Sequence, residues 1–159
     1  MGEFDRTDLR LLAALQEDAA PSLSELAEGA GLSTNACWRR VKRLEEAGVI
    51  RKRVALLDPV AAGCPVTVFV AVRTSQHTHE WLDAFAAAVR KIPEVVEFYR
   101  MSGDLDYLLK IMVADIAHYD RVYKRLIGEI SLSDVSASFA MEQIKYTTAI
   151  PLPDKTTLS

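Results

Sequence analysis

Residues 23–59 read LSELAEGAGLSTNACWRRVKRLEEAGVIRKRVALLDP, and the reading of the fold turns on the glycine at position 31. Before it, Leu23, Leu26, Ala27 and Ala30 recur at helical spacing, with Ser22 or Ser24 placed as the cap. Gly31 breaks that helix one residue after its last apolar position; Ser33 then opens another that runs to Ala47 and stops at Gly48. Helix, short glycine turn and second helix is the helix-turn-helix arrangement. Upstream, Leu9, Leu12 and Leu15 stand three residues apart with Leu11 beside them. This predicts a further helix from Asp5 to Gln16, capped by Asp5 or Thr7 and closed off by Pro21.

At about 100° per residue, the helix after Ser33 gathers Cys37, Val41, Leu44 and Gly48 in one sector and Asn35, Arg39, Lys42 and Arg43 in the opposite one. The first sector predicts core. The second carries the chemistry of a DNA reader, because Asn pairs bidentately with adenine and Arg with guanine in the major groove. Lys42, Arg43 and the run Arg51, Lys52, Arg53 suit phosphates, and Ser33 and Thr34 lie at a helix N-terminus, where unpaired N–H groups favour an anion. Trp38 borders the core sector and is expected to pack against the first helix. A basic stripe on a surface helix is usually a solvated face; here it coincides with a three-helix pattern, a glycine turn and a basic tract just beyond it.

The formal net charge of the 159 residues is −3, which taken alone argues against a general polyanion binder. Between Ser33 and Arg53, however, seven basic residues face two acids, a local charge of +5. Phosphate binding depends on that local potential. Half of the residues are hydrophobic, enough for a packed core, yet no run suggests a membrane span. The opening MGEFDRTD carries acids where a signal peptide would be basic, so the chain is expected in the cytoplasm. Cys37 and Cys64 have no metal-type spacing; His77 and His79 form an H-x-H pair far from His118 and read as surface histidines. No phosphate-loop, dinucleotide or nucleophile-elbow motif occurs, and no metal or cofactor is expected.

The second half alternates differently. PVTVFVAVRT (65–74) reads as a strand, Glu80 to Lys91 as a helix with Trp81, Leu82, Phe85, Val89 and Ile92 inward, and Val95 to Met101 and Tyr107 to Val113 as strands. Ile116 to Ile127 follows as a helix with Ile116, Tyr119, Tyr123, Leu126 and Ile127 inward, and Val135 to Met141 as the last strand. The order βαββαβ is a ferredoxin-like unit with both helices on one face of the sheet. The other face needs a cover, and a partner subunit is the simplest one. The expected fold is α+β: a winged helix-turn-helix of three helices over residues 1–53, a linker strand over 54–64, and the ferredoxin-like module over 65–159.

Ser102-Gly103-Asp104-Leu105-Asp106 is the sharpest break in that module. It reads equally as a solvated hairpin loop and as a ligand site. In the second reading backbone N–H groups meet an α-carboxylate while Asp104 or Asp106 meets an α-ammonium. Alternation along the last strand puts Ser136 and Ser138 on one face, fit to line a pocket, an interface or a solvated surface.

LSELAEGAGLSTNACWRRVKRLEEAGVIRKRVALLDP resembles the DNA-binding domain of the Lrp/AsnC, or feast-famine, transcription regulators, and SGDLDYLLKIMVAD with SFAMEQIKYTT resembles their C-terminal effector domain. The likeness runs from Asp5 to about Leu152. It implies a DNA-binding regulator with an amino-acid effector. It also implies a homodimer whose sheets pack face to face, often assembled into an octamer of four dimers. The family's effector turn falls most directly on Gly103 and Asp106. One rival class shares the two-domain resemblance: siroheme decarboxylases, in which histidines and arginines serve tetrapyrrole chemistry. The basic third helix speaks for DNA.

Overall fold

A computed structural model describes residues 4–152 apart from 77, 130, 131 and 133. The chain divides into two compact units, Met1–Ala55 with Ile144–Ser159, and Leu56–Gln143.

In the first unit, α1 spans Arg6–Glu17, α2 Leu23–Ala30 and α3 Thr34–Glu46. Each begins where a short polar side chain takes up an orphan backbone donor. Asp5 accepts from the Asp8 N–H at 2.8 Å, Ser22 from Glu25 and Ser33 from Ala36. Asp8 and Glu25 reach back to the N–H of Asp5 and of Ser22, completing two capping boxes. Gly31 adopts φ 67°, the left-handed conformation that an L side chain resists, and lets Leu32 N–H return to the Ala27 carbonyl at 2.9 Å. That geometry turns α3 across α2. Leu11, Leu26, Ala27, Ala30, Cys37 and Val41 form the core, with Leu15, Leu23, Leu32 and Ile50 against it. Burial raises the Cys37 thiol above its ordinary pKa, so it stays protonated and inert.

The second unit contains β1 (Val66–Arg73), α4 (His79–Arg90), β2 (Val95–Arg100), β3 (Tyr107–Val113), α5 (Ile116–Glu129) and β4 (Asp134–Phe139). The four strands form one antiparallel sheet in the order β2-β3-β1-β4, the ferredoxin-like arrangement. Strict alternation sends Val68, Val70 and Val72 of β1 and Tyr107, Leu109, Ile111 and Val113 of β3 into the core, where Trp81, Phe85 and Val89 of α4 and Val122 and Leu126 of α5 cover them.

Three expectations differ from what is observed. Residues 54–64 form no strand: 51–58 belong to no helix or ladder, and Asp58 opens a turn by accepting from the Ala61 N–H at 2.7 Å. On α5 the buried stripe runs through Val122 and Leu126, four residues apart, while Ile116, first in the helix, is 70% exposed, and Ile127 is exposed as well. Residues from Ile144 onward group with the first unit, where the Gln16 side-chain amide donates to the Ile150 carbonyl at 3.2 Å and accepts from its N–H at 2.7 Å. No helix among the described residues is long and apolar enough to cross a membrane.

Candidate nucleic-acid interface and effector turn

The outer side of α3 carries Thr34, Asn35, Arg39 and Lys42 in the open, opposite the buried Cys37, Val41 and Leu44. Ser33 spends its Oγ lone pair on the Ala36 N–H at 3.3 Å and keeps its hydroxyl hydrogen to give. Arg51, Lys52 and Arg53 follow on exposed backbone; Arg53 pairs with Glu45 at 3.1 Å, and Lys42 lies 3.9 Å from Glu46. Exposed pairs of this kind are worth little and yield readily to a phosphate.

Arg43 is differently placed. Its Nη2 lies 2.6 Å from Oδ2 of Asp8, a carboxylate only 1% exposed, while Arg40 Nη1 reaches the other oxygen of Asp8 at 2.8 Å and Asp5 at 2.6 Å. The hydrogen bonds that Arg40 donates, to Asp5 first and Asp8 second, hold it more firmly protonated than usual. Asp5 is in turn kept below its ordinary value by the Asp8 N–H and then by Arg40. α3 is thus locked to the start of α1 by charge as well as by apolar packing.

Sequence reasoning missed Asp8 and Arg40. The signal was there in the spacing, because Asp8 precedes Leu11 and Leu12 by three and four residues and so faces the core. Trp38, expected to pack against α1, is 51% exposed, with Lys42 Nζ 4.9 Å from the ring centroid.

In the second unit, residues 102–106 join β2 to β3. Met101 N–H donates to the Asp106 carbonyl at 2.8 Å and closes the hairpin, and Gly103 has φ 119°, open to it and costly for an L residue. Asp106 Oδ2 accepts from the Thr74 N–H at 2.8 Å, so this carboxylate terminates β1. Asp104 offers its carbonyl to Arg73 Nε at 2.8 Å, and Arg73 Nη1 meets Asp134 at 3.1 Å. The turn is therefore tied to the ends of β1 and β4. Ser136 and Ser138 lie opposite Ala71 and Phe69 of β1, on the sheet face away from the helices. No hydrogen bond among the described residues joins them to the turn. The same open face carries Phe69 and Tyr99, both exposed, and the pair Glu97–Lys110 at 2.9 Å.

The other candidates gather no chemistry. His79 is the exposed first residue of α4, His118 Nε2 meets Glu94 at 3.2 Å, and His77 lies outside the described residues. No cluster of potential metal ligands occurs among the described residues.

Residues 4–51 match a winged helix-turn-helix DNA-binding family, and residues 67–150 match the Lrp/AsnC ligand binding domain. The glutamate uptake regulatory protein of Zymomonas mobilis is 51% identical over 96% of this chain and 93% of its own. An AsnC family transcriptional regulator from Agrobacterium tumefaciens superposes with a TM-score of 0.90 at 58% identity, covering 93% of this chain and 97% of its own. A transcriptional regulator from Neisseria meningitidis, solved as a complex with L-Met, gives 0.88 at 35% identity, covering 94% and 97%.

Proposed function

The chain belongs to the Lrp/AsnC family of transcriptional regulators, and on that premise we propose that it reads operator DNA with α3 and senses an amino acid at the 102–106 turn. The observation that carries the DNA reading is the stripe Asn35, Arg39 and Lys42, exposed on the helix whose other side is the core of the unit. Ser33 and Thr34 are assigned to a phosphate at the helix N-terminus; Arg43, Arg51, Lys52 and Arg53 are assigned to flanking phosphates. Arg43 would then share its charge between Asp8 and the DNA.

The amino-acid reading is supported by the L-Met bound to the Neisseria relative and by the chemistry of the turn. Gly103 exposes backbone N–H groups to a carboxylate, Asp104 and Asp106 supply negative charge for an ammonium, and Ser136 and Ser138 border the site from a second copy. The open sheet face, with Phe69 and Tyr99 uncovered, supports a homodimer, and further association of dimers into an octamer fits the exposed Leu56 and Leu57. We place the regulator in the cytoplasm, with the DNA. The tetrapyrrole-enzyme reading has no support in the relatives described, which are regulators.

Ligand binding would act by favouring one of two assemblies with different affinity for DNA. A thermal-shift screen of the twenty amino acids tests the sensing half, since a ligand at 100 times its Kd stabilises by about 2.7 kcal/mol. No shift with any of them would remove the amino-acid effector; fluorescence anisotropy with duplex DNA at rising salt tests the other half.

A further inference from the structure

Trp38 stands among the groups assigned to DNA. At about 100° per residue, Trp38, Lys42, Asn35 and Arg39 fall in that order within an arc of about 100° on the outer side of α3. The ring is half exposed, and the Lys42 ammonium over its face lies within cation–π range. Lys42 therefore stiffens the indole while half of the side chain stays open. A rigid apolar plate beside an amide and a guanidinium is poorly suited to water and well suited to a surface that presents acceptors next to a hydrocarbon group. In the major groove that hydrocarbon is the 5-methyl of thymine, the apolar mark on an otherwise polar edge.

We propose that Trp38 is a specificity-determining residue that reads a thymine methyl group, held for that contact by Lys42. The inference rests on the DNA reading of α3 and adds to it an apolar component. Asn35 and Arg39 recognise by hydrogen bonds; Trp38 recognises by excluding water from a methyl. A cation–π pair four residues apart stabilises a helix on any surface, but that role alone gives no reason for indole preference between two DNA bases differing only in a methyl.

The test uses the full-length protein and a duplex that it selects from a randomised pool. Each thymine is replaced in turn by deoxyuridine, which deletes the methyl and leaves every hydrogen-bonding group in place. The wild type should lose affinity about fourfold at one or more thymines, the weight of one buried methyl-sized group. Trp38→Ala should bind the parent duplex more weakly and be indifferent to deoxyuridine at those same positions; Trp38→Leu, which keeps an apolar side chain, should retain part of the discrimination. Because the deletion is made in the DNA, the result does not depend on how well a variant folds. Indifference of the wild type to every deoxyuridine, or identical losses in wild type and Trp38→Ala, overturns the inference while DNA binding itself stands. A uniform loss in Trp38→Ala with an altered sedimentation coefficient would place the ring against a second copy and also overturn it. Failure to select any duplex would sink the DNA reading and this inference with it.

Discussion

Arg43 Nη2 lies 2.6 Å from Oδ2 of Asp8, which joins the exposed side of α3 to a buried carboxylate in the first turn of α1. Arg40 closes on the other oxygen, so one acid serves two guanidiniums from successive turns of α3. Removing the acid would take this partner from Arg43 and leave Arg40 with Asp5 alone at the edge of a small core. Breaking a fully buried pair costs about 3–5 kcal/mol, and the partial exposure of both arginines lowers this to about 2 kcal/mol. Asp8→Ala should therefore shift the denaturant midpoint of the first unit downward and weaken DNA binding. A midpoint equal to wild type would show that the network contributes nothing to stability.

The acid limb of stability should report the same network. Asp5 is held below its ordinary value by the Asp8 N–H and by Arg40. A lowered folded-state pKa gives stability that is complete above the unfolded value, about 4, and is lost as the pH falls through the folded value. Melting temperature should thus be flat near neutrality and fall below about pH 4. Asp5→Asn keeps an N-cap acceptor but no charge, so its curve should fall less steeply than wild type over that range; parallel curves would contradict the assignment.

Arg39→Ala and Lys52→Ala should separate base reading from phosphate binding. Arg39 is exposed beside Asn35 on the outer side of α3, and its loss should cost about 1–3 kcal/mol and relax preference at one base position. Lys52→Ala should weaken all duplexes alike and reduce the salt slope by about 1. Competition titrations with selected and scrambled duplexes at several salt concentrations make the distinction. Loss of selectivity in the lysine variant but not in the arginine variant would reverse the roles.

At Asp106 the structure dictates which substitution is informative. Asp106→Ala removes the acceptor of the Thr74 N–H as well as the charge, and leaving that donor unpaired costs about 1–3 kcal/mol of stability. Asp106→Asn can still accept that bond through its side-chain carbonyl. It should melt near wild type, bind DNA normally and lose the thermal shift produced by the best amino acid. An unchanged ligand shift in Asp106→Asn would make the residue a strand terminator and nothing more.

The three helices and the four-stranded module were legible because their determinants are local. Ser22, Ser33 and Gly31 start and stop helices within a few residues, and the alternation of Val68, Val70 and Val72 needs no knowledge of the partner strand. What escaped is long-range. Asp8 meets Arg40 and Arg43 across 32 and 35 residues, and no periodicity records which arginines a buried acid will find. The exposure of Trp38 escaped for a related reason: it sits at the border of the apolar sector, where spacing alone does not say that half the ring stays open with Lys42 over it. The linker was expected as a strand over 54–64, yet a strand exists only where a ladder partner is present, and residues 51–58 belong to no ladder. The acidic turn was recognised as a turn; that Asp106 also fastens β1 could not be read from its neighbours in sequence.

The amide pairing of Gln16 with Ile150 spans 134 residues. Helices α1 to α3 pack through contacts made within some fifty residues, but the piece that joins their unit follows the whole four-stranded module in the chain. During translation these helices must therefore exist for a time without it. Closing that contact costs more chain entropy than the contacts among the helices themselves, and it can form only once the intervening four-stranded module has been made.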